Sequence, residues 1–129
     1  MKLLQLSGVE IGIITGRTAE VVRIRMESLG IEHVYQGQRY KVPAFEEMRD
    51  SLGLTNEQVA YIGDDVVDLP VMRQVGLAIA VQNADDRVKQ EAHWQTRAAG
   101  GHGAARQVCE LLMAAQGTLD ATLERYLSP

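Results

Sequence analysis

The chain has 129 residues, of which 46% are hydrophobic and 23% charged, with a formal net charge of −4 and a single cysteine. This length fits one domain that buries a core without disulfides, and one cysteine excludes an intrachain disulfide. The acidic balance argues against a nucleic-acid-binding face, which would be basic. No apolar run reaches the length of a membrane span. The first ten residues lack the pattern of a signal peptide, so we expect a cytoplasmic protein with no membrane contact.

Short apolar runs alternate with helical patterns along the chain. The predicted strands cover residues 9–14, 31–35, 59–62, 77–81 and 93–96, and the predicted helices cover residues 21–29, 44–52, 67–75, 86–92 and 104–116. Pro43 suits the first turn of the second helix, and Thr55 with Gln58 has the spacing of a capping box. Several strands are apolar throughout, which means that both of their faces are covered. The pattern therefore predicts an α/β fold with a mainly parallel sheet.

Polar and charged residues follow the predicted strands where ligands bind in such sheets. The candidates that come after the first three strands are Thr15, Gly16, Arg17, Lys41, Asp64, Asp65 and Asp68. Clustered carboxylates repel one another unless a cation compensates them, and Mg²⁺ prefers oxygen ligands of this kind. A lysine and a hydroxyl bind phosphate oxygens as charge develops on them. Together these residues predict a Mg²⁺-dependent phosphoryl-transfer site.

Each candidate also has a purely structural interpretation. A lone lysine such as Lys41 is most often a solvated surface residue, and Thr15 could bond only to its local turn. Asp64 or Asp65 could cap the helix that follows, and Asp68 could be a first-turn acid that the helix dipole favours. The convergence of all of them on one sheet edge favours the functional interpretation.

The motifs also resemble a known family. IITGR, the lysine after a Gly-rich turn and GDDVVDLPVM resemble motifs two, three and four of the haloacid dehalogenase phosphatases. Three longer segments, GIITGRTAEVVRIRMESLGIEHVYQGQRYK, VAYIGDDVVDLPVMRQVGLAIAVQNA and AAGGHGAARQVCELLMAAQG, resemble the cap-less 3-deoxy-D-manno-octulosonate (KDO) 8-phosphate phosphatases of lipopolysaccharide precursor synthesis. The resemblance covers residues 1–117, with residues 118–129 left as a C-terminal tail. It implies a three-layer Rossmannoid sandwich.

The resemblance also implies roles for residues and partners. Thr15, Gly16 and Lys41 would bind the phosphate, with Thr15 and Lys41 acting in catalysis. Asp64 would ligate Mg²⁺, while Asp65 and Asp68 would complete or orient the metal shell. Arg17 and Arg25 would bind the acidic sugar, although Arg25 could instead merely cover its helix. The assembly would be a homotetramer whose C-terminal tail reaches a neighbouring subunit. His102 stands where another polar or basic residue is expected.

One feature of the family is missing from these 129 residues. Its nucleophile and its general acid and base form an Asp-x-Asp motif on the central strand, and no Asp-x-Asp occurs in the sequence. We therefore expect an open place between the strands that end at Thr15 and Gly63, and little phosphatase activity from the chain alone. The alternatives are a non-catalytic module that binds a phosphosugar or a partner, and a phosphatase for a related sugar acid such as N-acylneuraminate 9-phosphate. A response-regulator receiver is excluded because its acidic pair precedes the hydroxyl and the lysine.

Overall fold

The computed structural model describes residue 5, residues 8–99 and residues 103–116, except for the side chains of residues 105, 115 and 116. Within this part of the chain the strands are Gly12–Ile14 (β1), His33–Tyr35 (β2), Ala60–Gly63 (β3), Leu77–Ala80 (β4) and Trp94–Gln95 (β5). The helices are Glu20–Ser28 (α1), Val42–Ser51 (α2), Leu69–Met72 (α3), Asp86–Glu91 (α4) and Ala104–Gln116 (α5). Short 3₁₀ turns cover Asn56–Gln58 and Val66–Asp68.

Every strand pairing in the described residues is parallel. β1 pairs with β2, and β3, β4 and β5 form a second sheet in that order. Helices connect the successive strands, as the alternating pattern predicts. The α/β class and the parallel sheet are thus confirmed.

The observed elements are shorter than predicted at several points. The first strand begins at Gly12 rather than at residue 9, because its pairing with β2 extends over only three residues. The predicted helix 67–75 is a 3₁₀ turn followed by the four-residue α3. Asp65 and Asp68 form a capping box around that turn, and Pro70 lies in the first turn of α3, where its missing N–H costs nothing. The predicted capping box at Thr55 and the position of Pro43 are both confirmed.

The core lies on both faces of the sheets. One cluster joins Phe45 of α2 to the buried side chains around α3 and β4, with Ile14 packed against it. A smaller cluster joins Cys109 and Met113 of α5 to the residues that lead into β1, Val9 and Ile11. Cys109 is thus a buried free thiol, as expected. Since side chains alternate between the faces of a strand, α2 and α5 cover opposite faces of β1.

β1 is an edge strand of the first sheet and β3 is an edge strand of the second. The two strands face each other but are not hydrogen-bonded to each other. A cavity of about 590 Å³ lies between them and is lined by both strands, by α2 and by α5. This is the open place that the family resemblance implies for a central strand. No helix among the described residues combines the length and apolar character that crossing a membrane requires.

Candidate functional site

The candidate site lies at one end of this cavity. Four of the predicted residues line it: Thr15, Lys41, Asp64 and Asp68. They lie in the segments that follow β1, β2 and β3. The carboxyl ends of parallel strands lie at one edge of a sheet, which is why these residues meet. The loop after β2 is fixed to the loop after β1, because Gln38 N–H donates to the Thr15 carbonyl at 2.9 Å. Lys41, three residues further on, reaches the acidic segment by its bond to Asp68.

Asp68 is the centre of the hydrogen-bond network. Its carboxylate is almost fully buried, with 2% of the residue exposed. Oδ1 accepts from Lys41 Nζ at 2.7 Å and from the Tyr61 hydroxyl at 2.6 Å. Oδ2 accepts from the backbone N–H groups of Asp64 at 3.0 Å and Asp65 at 3.2 Å. Four donors thus satisfy one buried carboxylate, as a charge in the interior requires.

Gly63 permits this arrangement at the end of β3. An ideal Cβ on Gly63 would lie 2.5 Å from Met72 Sδ and 2.8 Å from Asp68 Cβ. No ordinary side chain fits there without displacing its neighbours. Tyr61 lies two residues earlier on the same face of β3, because side chains alternate along a strand. The glycine therefore lets Asp68 approach the strand closely enough to meet the Tyr61 hydroxyl.

Sequence reasoning missed Tyr61. The signal that could have found it is the period of two in the strand, which puts Tyr61 and Gly63 on one face, directly before the acidic cluster. Burial raises the pKa of Tyr61, and its bond to the Asp68 carboxylate raises it further. The phenol is therefore neutral and serves as a donor.

The pKa values of the Asp64 and Asp68 carboxyl groups are shifted in opposite directions. Burial alone would raise the pKa of Asp68, but the hydrogen bonds from Lys41, Tyr61 and the Asp64 N–H outweigh it, and the pKa of Asp68 lies below its usual value. Burial and the neighbouring Asp68 raise the pKa of Asp64, and Lys41 only partly opposes this. The negative charge of Asp64 is thus incompletely compensated by the protein groups around it.

Lys41 and Thr15 retain capacity for a ligand. The side chain of Lys41 is only 13% exposed, so it is not the solvated surface lysine of the structural interpretation. An ammonium has three N–H donors, and the bond to Asp68 uses one of them. The Thr15 hydroxyl oxygen accepts from Arg17 N–H at 3.2 Å, which leaves the hydroxyl proton to donate.

The remaining candidates do not line the cavity. Arg17 and Arg25 are exposed, the latter on α1. Gly16 lies next to Thr15, and a Cβ on it would lie 3.5 Å from the Gln38 carbonyl oxygen, which is an ordinary contact. Asp65 accepts from Val66 N–H at 2.7 Å and caps the 3₁₀ turn, which is the structural interpretation considered for it. His102 and the C-terminal tail lie outside the described residues.

A metal site made wholly of these side chains is absent from the described ranges. No group of three or more His, Cys, Asp or Glu side chains in residues 8–99 and 103–116 is arranged to hold an ion. The Asp64 carboxylate is exposed at the cavity, and its raised pKa indicates that the neighbouring groups compensate its charge only in part. Since Mg²⁺ commonly takes one or two protein carboxylates together with phosphate oxygens and water, Asp64 fits as one ligand of such an ion.

Comparison with known proteins agrees with this geometry. Residues 23–108 match the model of the haloacid dehalogenase-like hydrolase family. The 3-deoxy-D-manno-octulosonate 8-phosphate phosphatase of Escherichia coli K12 is 50% identical over 114 residues, which are 88% of this chain and 61% of that protein. The chain thus spans less than two thirds of the length of this curated relative.

Solved structures show the same fold. The 3-deoxy-D-manno-octulosonate 8-phosphate phosphatase of Yersinia pestis superposes with a TM-score of 0.91 at 47% identity, covering 92% of this chain and 64% of that one. The enzyme of Moraxella catarrhalis, solved with magnesium, phosphate and KDO, has a TM-score of 0.92 at 38% identity, covering 97% of this chain and 72% of that one. The chain therefore belongs to the haloacid dehalogenase-like hydrolases and, within them, groups with the 3-deoxy-D-manno-octulosonate 8-phosphate phosphatases.

Proposed function

We propose that this chain supplies the phosphate-binding and part of the metal-binding machinery of a Mg²⁺-dependent phosphatase for KDO 8-phosphate. The observation that carries the proposal is the buried Lys41–Asp68 pair, which holds an ammonium beside Thr15 and Asp64 at one end of the cavity. An enzyme of this class cleaves the bond between phosphorus and the sugar oxygen, and the oxygen of water ends on the phosphate. The similarity to phosphatases named for this substrate supports the substrate class.

The chain's own residues bind and orient the phosphate. Lys41 offsets the charge on the phosphoryl oxygens, and Asp68 with Tyr61 holds that ammonium in place. Thr15 donates its hydroxyl proton to a phosphate oxygen. The exposed guanidinium groups of Arg17 and Arg25 bind the carboxylate of the sugar acid, for which their planar donors are suited.

Asp64 would hold Mg²⁺, with Asp65 and Asp68 fixing the loop that presents it. When bound, the ion polarises the phosphoryl oxygens and offsets the charge that develops during transfer. The raised pKa of Asp64 supports this role, since an uncompensated carboxylate at a cavity is a good partner for a cation.

The 129 residues lack a nucleophile of the required kind. In this family a carboxylate attacks phosphorus in line, and Asp68 is unsuited to this because four donors already bind it. We expect little turnover of KDO 8-phosphate by the 129-residue chain and robust phosphate release by the same chain joined to an upstream segment with Asp-x-Asp. Phosphate release is measured for both with Mg²⁺ and with a chelator. Robust turnover by the 129-residue chain would show that these residues contain a nucleophile, and would refute the proposal that catalysis needs Asp-x-Asp.

The absence of Asp-x-Asp also favours a second candidate, a module that binds a phosphosugar without hydrolysing it. In that case the 129-residue chain would bind KDO 8-phosphate in a calorimetric titration, and the protein joined to the Asp-x-Asp segment would still release no phosphate. N-acylneuraminate 9-phosphate serves as the competing substrate in both assays. The cytoplasmic location and the homotetramer belong to the same proposal, and the sedimentation of the joined protein tests the assembly.

A further inference from the structure

Two loops that carry residues of the candidate site are bonded to each other. Residues 15–19 follow β1, and residues 36–38 follow β2 and lead to Lys41. Gln38 N–H donates to the Thr15 carbonyl at 2.9 Å. The pairing of β1 with β2 thus continues beyond the ends of both strands, and the two loops lie side by side.

Gly37 fits the narrow space between the two loops. Its N–H donates to the Arg17 carbonyl at 3.0 Å. Its φ of +68° lies in the left-handed region, which glycine adopts without steric cost. A Cβ at this position would lie only 3.0 Å from Thr18 Oγ1, which is tighter than an ordinary contact. A larger residue at this position would therefore push the loops apart.

The N-terminus of α1 has no cap from its own sequence. The N-cap residue is Ala19, whose side chain cannot form a hydrogen bond. In a capping box the third helical residue accepts a bond from the N-cap N–H, but in α1 that residue is Val22. The Ala19 N–H therefore depends on an acceptor from another part of the chain.

Gln36 supplies this acceptor from the loop after β2. Its Oε1 accepts from Ala19 N–H at 2.8 Å, in a partly buried bond. Its backbone carbonyl accepts from Gln38 Nε2 at 3.0 Å. Gln36 is thus bonded to the first loop through its side chain and to the second loop through its backbone. Partial burial strengthens the bond to Ala19, because the local dielectric is lower than that of water.

We propose that Gln36 is a positioning residue of the phosphate site. Its amide oxygen fixes the loop with Thr15 and the start of α1 against the loop that leads to Lys41. The Thr15 hydroxyl and the Lys41 ammonium thereby stay close enough to bind one phosphate group. Gln36 does not line the cavity, so it acts through these two residues. This role rests on the proposed function, since it requires that Thr15 and Lys41 bind phosphate.

The test compares three variants of the 129-residue chain with the parent. Gln36→Met keeps the length of the side chain but removes its oxygen, whereas Gln36→Glu keeps an oxygen that can accept from Ala19 N–H. Gln74→Met is the matched control, because Gln74 Nε2 donates to the Pro70 carbonyl at 3.0 Å, outside both loops. Circular dichroism checks that all three variants are folded like the parent.

Amide hydrogen exchange, followed residue by residue by NMR, tests the bond between the loops. In Gln36→Met the amides of Gly37 and Gln38 should exchange about fivefold faster, as expected for the loss of one neutral hydrogen bond. Gln36→Glu should restore the parent rates, and Gln74→Met should leave them unchanged. Parent rates in Gln36→Met would overturn the proposal, because the loops would then hold together without this side chain.

Titration with inorganic phosphate in the presence of Mg²⁺ tests the effect on the site, with the NMR shift of the Thr15 amide as the signal. Gln36→Met should bind phosphate about fivefold more weakly, whereas Gln74→Met should bind it like the parent. A purely stabilising role of Gln36 would not produce this difference, because the affinity is measured on chains that stay folded. Gln36→Glu is not informative in this titration, since its negative charge would itself repel phosphate.

The parent chain separates this proposal from the proposed function. Saturable binding by the parent with equal affinity in Gln36→Met would leave the phosphate site supported and overturn only the role of Gln36. The absence of saturable phosphate binding by the parent would count against the phosphate site itself, and both proposals would then fail.

Discussion

Removing the Tyr61 hydroxyl tests whether the network around Asp68 stabilises the fold. In Tyr61→Phe the ring stays, and the Asp68 carboxylate loses one of four donors, the one at 2.6 Å. A hydrogen bond to a charged group contributes roughly 1.5–3 kcal/mol. Because three donors remain on Asp68, we place the loss near the lower end, at about 2 kcal/mol of unfolding free energy.

Urea denaturation, followed by the fluorescence of the single tryptophan, Trp94, measures this loss. The matched control is Tyr40→Phe, since Tyr40 is 71% exposed and should change the unfolding free energy by less than about 0.5 kcal/mol. If Tyr61→Phe also changes it by less than that, the hydroxyl does not stabilise Asp68, and the positioning role of Tyr61 is refuted.

Four further substitutions test the site. Lys41→Met leaves a buried carboxylate without its cation and should cost about 3–5 kcal/mol of unfolding free energy. The same urea titration measures this loss. A loss below about 1 kcal/mol would show that Asp68 does not depend on the lysine. Gly63→Ala forces its new Cβ against Asp68 and should cost about 1–3 kcal/mol by overpacking, with unchanged thermal unfolding as the contradicting result. Asp64→Asn in the protein with its upstream segment should abolish Mg²⁺ binding in a calorimetric titration. Asp65→Asn should weaken Mg²⁺ binding less, because asparagine caps a helix as well as aspartate does; equal loss in both variants would assign direct ligation to Asp65 too.

Much of the fold follows from pattern alone. The five strands and the last helix lie where apolar runs and helical periodicity predict them, and the last helix covers the predicted residues 104–116. The convergence of Thr15, Lys41 and Asp64 follows from one rule, that the carboxyl ends of parallel strands share an edge. The positions of strands and helices are local features, and the meeting of the strand ends follows from the topology. Both can therefore be predicted from one sequence.

The details that sequence reasoning missed depend on tertiary contact. Nothing in the local sequence shows that Asp68 turns back toward β3, since the shape of Gly63 and the position of the Tyr61 hydroxyl decide it. The 3₁₀ turn that replaced the first turn of the predicted helix is bounded by the capping box of Asp65 and Asp68, which is a local pattern. The predicted metal roles of Asp65 and Asp68 remain predictions, although their carboxylates are already engaged in the hydrogen bonds that shape the loop.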